Sequence, residues 1–165
     1  MTKIVIFTDG SVPNNQSKKS KCGGIGVFFG DNDVRNISEK FTDEIKITNN
    51  TMEYLAVIKA VKKLKEYKQT DNEIIIISDS EYLIKSMTIW IHNWEKNNWK
   101  KSDKKPVENL PLVQKLFKYT KKYNIKYKHQ RSHQIPPIDK TSKEYKLWYG
   151  NDMADKLAFS AATSC

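Results

Sequence analysis

Asp9 and Asp79 stand at corresponding points of two apolar runs. Lys3-Ile4-Val5-Ile6-Phe7-Thr8 leads into Asp9-Gly10-Ser11, and Glu73-Ile74-Ile75-Ile76-Ile77-Ser78 leads into Asp79-Ser80. Each β-prone run stops at a hydroxyl residue, an aspartate and a small residue. A buried strand that ends in a carboxylate delivers the charge to the lip of a sheet, where open α/β folds keep their sites. Two such strands side by side would set two anions at one point, and like charges so placed need a cation or a proton. The chemistry indicated is metal-dependent. Taken singly, either aspartate is more readily a turn residue; it is the matched pair that brings the functional reading level with it.

Two more acids join them. On a helix, Glu53 shares a line with Val57, Ala60 and Leu64, away from the face of Lys59, Lys62 and Lys63. Asn50-x-x-Glu53 also fits a capping box, a role compatible with chemistry at the helix end. Asp155, in Gly150-Asn151-Asp152-Met153-Ala154-Asp155-Lys156-Leu157-Ala158, shares a face with Ala158, Phe159 and Ala162. An acid in a first helical turn also complements the helix dipole, which Asp152 would serve better.

The elements that must position these side chains follow from periodicity. Strands are expected at 3–8, 23–29 and 34–41, joined as an antiparallel meander after a lysine-rich loop over 12–22. A helix is expected from Thr51 to Tyr67 with Asn50 as N-cap. A strand at 73–78, a helix over 80–95, a Lys/Trp segment over 96–105 and a helix from Pro106 to Tyr123 come next. A strand over 125–130, a polar loop over 131–150 and a helix capped by Asn151 and running to Ala162 complete the chain. Three antiparallel strands followed by a βαβ pattern give an α/β fold, a mixed sheet with packed helices.

The 165 residues suit one domain, 1–165. Lysine and arginine number 29 against 19 acids, a net charge of +10, which favours a polyanionic partner. Cys22 and Cys165 lie far apart without metal-ligand spacing. They are read as two incidental thiols of a reducing compartment. No run approaches the ~18 apolar residues of a membrane span, and no secretion signal opens the chain. An intracellular site, cytoplasm or nucleus, is expected.

Four segments in this order resemble the type 1 ribonuclease H family. They are Phe7-Thr8-Asp9-Gly10-Ser11, Thr48-Asn49-Asn50-Thr51-Met52-Glu53, Ser78-Asp79-Ser80-Glu81-Tyr82, and Gly150 through Ala158. The likeness includes Trp90-Ile91-His92-Asn93-Trp94 and Trp99-Lys100 through Pro106-Val107, similar to the family's basic handle over about 90–106. It implies a ribonuclease H-like five-stranded mixed sheet, three strands antiparallel and then parallel ones, with helices on both faces. It implies an endoribonuclease that hydrolyses the RNA strand of RNA–DNA hybrids with two Mg2+ ions, Mn2+ being able to substitute, and leaves 5′-phosphate and 3′-hydroxyl ends. Asp9 would bridge both ions, Asp155 would complete the site of the water-activating ion, and Glu53 and Asp79 would hold the second. The enzyme is expected to be a monomer bound to a hybrid duplex, with no membrane partner. The alternatives are a DNA-acting integrase or resolvase on the same fold, and a noncatalytic nucleic-acid-binding module.

The resemblance also implies a histidine, matched to His133 and used in proton transfer or product departure, with His129 as competitor. His92 is expected to pack beside the handle. In the family this histidine lies about ten positions before the last aspartate; here it lies twenty-two before Asp155, with an enlarged histidine loop over about 131–150 read as a basic flap. Asn49 and Asn50 match asparagines that touch the minor groove, where the 2′-hydroxyl separates RNA from DNA. Thr48 matches a threonine that seats a DNA phosphate, and Asn14 or Asn15 a first-loop asparagine. Trp90, Trp94 and Trp99, interleaved with Lys96, Lys100, Lys101, Lys104 and Lys105, suit phosphate binding on an apolar support.

Overall fold

β-Branched residues fill the strand that becomes the second-innermost of a five-stranded sheet. The computed structural model describes residues 2–13, 22–42 and 46–165. β1 (Lys3–Ser11), β2 (Gly23–Phe28), β3 (Ile37–Phe41), β4 (Glu73–Ser78) and β5 (Ile125–His129) lie in the order β3-β2-β1-β4-β5. The pairs β1–β2 and β2–β3 are antiparallel; β1–β4 and β4–β5 are parallel. This is the mixed sheet expected from the sequence. The parallel crossover from β1 to β4 is spanned by the antiparallel pair and helix α1 (Asn49–Glu66).

Side chains alternate across β1, so each face acquires its own core. Ile6 joins Ile74 and Ile76 of β4 beneath Tyr54, Val57, Val61 and Leu64 of α1, and Val113 and Leu116 of α4 (Leu110–Lys122). Phe7, Phe28 and Ile77 face the other way and pack with Ala154 of α5 (Lys143–Ala162). Helices therefore cover both faces. Between β4 and α4 run α2 (Glu81–Lys85), a π-helical turn at Ser86–Trp90 and α3 (Ile91–Lys96). Among the described residues no helix is long and apolar enough to cross a membrane.

α5 approaches β2 so closely that side chains are excluded. A Cβ on Gly26 would collide with the Ala154 carbonyl oxygen, and one on Gly24 with that of Ala158. Gly26→Ala is therefore expected to cost about 2–3 kcal/mol as overpacking. In a thermal melt this is a fall of roughly 5–10 °C for a chain of this size. An unchanged melt would mean that the helix rides higher than described.

Several boundaries differ from the sequence reading, each for a physical reason. β1 continues past Thr8 to Ser11, because Asp9, Gly10 and Ser11 keep pairing with Gly26, Ile25 and Gly24. Helix α1 is capped by Thr48, not Asn50. Thr48 Oγ1 accepts from Thr51 N–H (3.1 Å), and Thr51 Oγ1 accepts from Thr48 N–H (2.9 Å). The box thus closes two residues early and Glu53 has no part in it. The helix expected over 80–95 is broken by the π-helical turn. There the Ser86 and Thr88 hydroxyls donate to the Leu83 and Ile84 carbonyls, competing with the regular ladder. Helix α4 starts at Leu110, since Asn109 takes a left-handed conformation with φ 59°.

The largest correction concerns the loop expected over 131–150. Its second half is helical: Ser142 caps α5, its Oγ accepting from Tyr145 N–H (3.0 Å). Asn151, expected as the cap, is buried within the helix. The helix runs through Gly150, and a glycine is needed there because a Cβ would strike the Phe7 ring. The cysteines are also corrected. Cys22, leading into β2, and Cys165, just past α5, have Cα atoms 6.3 Å apart and form a disulfide across a sequence separation of 143. The packing of α5 along β2 creates this proximity, which sequence spacing does not encode.

Candidate metal centre

The sheet brings two aspartates together before any helix contributes. Thr8 of β1 is in register with Ser78 of β4, so the following Asp9 and Asp79 leave adjacent strands side by side. Asp9 is buried at 4% exposure, and Asp79 is half-buried. Asp9 lies directly across from Gly26 on β2, and α5 crosses the sheet at Gly26 through Ala154. Asp155, the next residue, therefore comes close enough to Asp9 to act on its carboxyl group.

Glu53 comes from the other layer. A Cβ on Gly10 would meet Met52 Cβ at 2.6 Å and Glu53 N at 2.7 Å, so the first turns of α1 press on β1 only because residue 10 is glycine. Gly10 N–H then donates to both Asp9 Oδ1 (2.9 Å) and Glu53 Oε1 (2.5 Å). Ser78 Oγ donates to Glu53 Oε2 (3.3 Å) and accepts from Ser80 N–H (3.1 Å). Oxygen atoms of Asp9, Glu53 and Asp79 all fall within 4.8 Å of one another.

This crowding acts on the carboxyl groups as electrostatics requires. Burial, then the charges of Glu53 and Asp79, push Asp9 up to about 12. Burial raises Glu53 to about 7, against hydrogen bonds from Asp9, Gly10 and Ser78 that favour its anion. Asp79 is raised chiefly by burial, with the charge of Asp155 adding to it. A centre of three acids that resist ionising together, with Asp155 beside them and only oxygen donors on offer, suits a hard divalent cation. The residues present fit such an ion.

The remaining expected site residues fall into three groups. Asn49, His133 and Asp155 line one cleft of about 460 Å³ together with Gly10 and Ser11. His133 is exposed there, in a left-handed conformation with φ 53°. His129 instead backs Asp79, its Nε2 lying 3.2 Å from the Asp79 carbonyl oxygen. Asn50 is half-buried one residue along α1, and the Thr48 hydroxyl is engaged in capping. Asn14 and Asn15 lie outside the described residues.

The handle divides its tryptophans. Trp90 stacks edge-on against Tyr82 (5.3 Å) and tilts against Trp94 (5.9 Å), and both line a groove with Asn97, Lys100 and Ser102. Trp99 turns away from that groove and packs on Phe117 of α4 at 5.8 Å. It is a strut rather than part of the same surface. A bridge between Lys100 and Pro106 closes the loop and leaves Lys104 and Lys105 exposed. His92 is exposed on α3 rather than packed. Two supporting residues escaped the sequence reading. Ser78 bonds Glu53, and Ser132 is near enough to Asp79 to favour its anion. The hydroxyl before each strand-end aspartate was a visible signal for the first; the Ser132-His133 pair was the only signal for the second.

Comparison with known proteins agrees with this geometry. The sequence model of the family described as RNase H matches residues 1–163. A ribonuclease H of Rickettsia bellii is 37% identical over 158 residues, covering 96% of this chain and 88% of the relative. The crystal structure of LC9-RNase H1, a type 1 RNase H with the type 2 active-site motif, matches with a TM-score of 0.72 at 25% identity, covering 98% of this chain and 72% of that one. LC11-RNase H1 in complex with RNA/DNA hybrid shares the fold with a TM-score of 0.57 at 21% identity, covering 96% of this chain and 95% of that one.

Proposed function

This chain belongs to the ribonuclease H family and is a phosphodiester hydrolase, and we propose that it cuts the RNA strand of RNA–DNA hybrids internally with two Mg2+ ions. The products are 5′-phosphate and 3′-hydroxyl ends. The observation that carries this reading is the convergence of Asp9, Glu53 and Asp79 within 4.8 Å, with Asp155 in reach of Asp9.

Each residue has a part. Asp9, central among the acids, would contact both ions. Asp155 would serve the one on the side of the attacking water, and Glu53 and Asp79 the one on the side of the leaving oxygen. When bound, the ions supply Lewis-acid stabilisation of the attacking and leaving oxygens of an in-line displacement. Gly10 N–H and Ser78 Oγ hold the Glu53 carboxylate in place, and Ser132 favours the anion of Asp79. His133, across the cleft from Asp155, moves a proton at the departing product. Asn49, exposed at the cleft edge, is placed to meet a 2′-hydroxyl. The groove of Trp90, Trp94 and Lys100 takes the backbone of the DNA strand.

The test is cleavage of end-labelled hybrid, double-stranded RNA and double-stranded DNA, each with Mg2+, Mn2+ or a chelator. Metal-dependent cutting of the hybrid alone is expected. Equal cutting of double-stranded DNA would favour an integrase-like nuclease, and binding without cleavage would leave only a nucleic-acid-binding module.

A further inference from the structure

The segment between β5 and α5 displays two isoleucines to water. Ile135 is 90% exposed and Ile138 is 100% exposed, the highest values among the large apolar side chains described. They flank Pro136 and Pro137, which stiffen the tip between them.

The tip is held in this posture. On one side Trp148 Nε1 donates to the Gln134 carbonyl (3.0 Å), and Gln134 Nε2 donates to the Ser132 carbonyl (3.0 Å). On the other, Asp139 Oδ1 accepts from Thr141 N–H (2.9 Å) and Thr141 Oγ1 (2.6 Å), and Ser142 Oγ donates to the Asp139 carbonyl (2.7 Å). Both ends are pinned, so the isoleucines are presented outward rather than left over from packing.

The root of the tip lies in the metal centre. His133 lines the cleft with Asp155 and Asn49. Ile135 lies two positions from His133 and Ile138 five, which limits them to roughly 7 and 18 Å of chain from it. The tip therefore stays near the point where a phosphate would meet the carboxylates. A hybrid has A-like geometry, with a wide, shallow minor groove open to side chains. Isoleucine and proline are among the residues that proteins press into minor grooves. Arg131, Lys140 and Lys143 flank the tip, and none has a carboxylate partner among the described residues, which suits nearby phosphates.

We propose that Ile135 and Ile138 form an apolar substrate-engaging tip that packs on the sugar and base edges of the hybrid's minor groove beside the cut site. This rests on the function proposed above. A contact made equally in the bound and transition states affects KM and spares kcat.

The test uses the full chain with Mg2+ and a hybrid of defined length. Ile135→Ser combined with Ile138→Ser is expected to raise KM about tenfold with kcat within about twofold. Ile→Leu at both positions should restore KM, and the melting temperature should stay unchanged in both variants, since the side chains touch nothing. The slope of log affinity against log salt should also hold, because no charge is altered. An unchanged KM in the serine variant overturns the proposal and assigns the tip to a protein partner or a second copy. A lowered melting temperature, or a failure of leucine to rescue, overturns it too. Failure of the wild-type protein to cut hybrid sinks the functional reading itself, whereas an active wild type with an indifferent serine variant sinks only the tip.

Discussion

The Asp9→Asn variant is expected to lose hybrid cleavage by roughly 10³-fold or more, about 4 kcal/mol of transition-state stabilisation at ~1.4 kcal/mol per tenfold. Asp9 is the residue that Glu53, Asp79 and Asp155 all surround, so an amide there disables every cation position the cluster offers. Hybrid binding should persist, because the phosphate contacts expected of the handle do not depend on the carboxylates. The same substitution removes the carboxyl group that the folded parent must keep protonated at pH 8, a cost the unfolded chain does not bear. The metal-free variant is therefore expected to be more stable than the metal-free parent at pH 8 by about 1–3 kcal/mol. Single-turnover cleavage and a chelator-treated melt check the two halves. Turnover within tenfold of the parent would contradict the assignment of Asp9.

The second large effect is the pH dependence of stability without metal. Glu53 titrates near 7 in the folded chain, against an ordinary value of 4.5. Asp9 is raised much further. Below the unfolded values both states hold these protons, and nothing is gained or lost. As pH rises, the unfolded chain releases them first while the folded chain still keeps them, so stability falls with rising pH. For Glu53 the loss spans 4.5 to about 7 and amounts to roughly 3 kcal/mol at ~1.4 kcal/mol per pH unit. For Asp9 it continues beyond neutral pH. Chelator-treated protein should thus melt lower at pH 8 than at pH 5. Mg2+ should raise the melting temperature more at pH 8, by up to about 3 kcal/mol of stability at a hundredfold excess over its dissociation constant. A chelator-treated melt that is flat or rises over this range would show that the four acids do not share one electrostatic environment.

The sequence made the cluster legible because its members sit where local rules are strongest. Two occupy the ends of uninterrupted β-branched runs, and one lies on an apolar helical stripe. What it misassigned were competitions between near-equal local options. Asn50 and Thr48 are both good caps, and only the hydroxyl pair Thr48 and Thr51 closes reciprocally. Gly150 and Asn151 look like a helix start, but the glycine answers to Phe7, a residue more than a hundred positions away. The stretch Lys143 to Tyr149 mixes charged and aromatic residues without a clean apolar stripe, and the later part of the expected basic flap belongs to α5. Trp99 and Trp94 are indistinguishable by type and neighbours, yet one supports α4 and the other lines a groove. The cap was settled by a local pair of hydroxyls, and Gly150 and Trp99 by tertiary contacts, between choices that residue type left balanced.

The Cys22–Cys165 bond has a topological consequence. Residues 22–165 form a macrocycle, and β1, the middle strand of the sheet, is a guest lying between two strands of that macrocycle. Scission of the connection before Cys22 would divide the molecule into a cyclic body holding Glu53, Asp79 and Asp155 and a short linear peptide holding Asp9. Neither piece alone possesses the full set of acids, so catalysis would become the property of their reassociation.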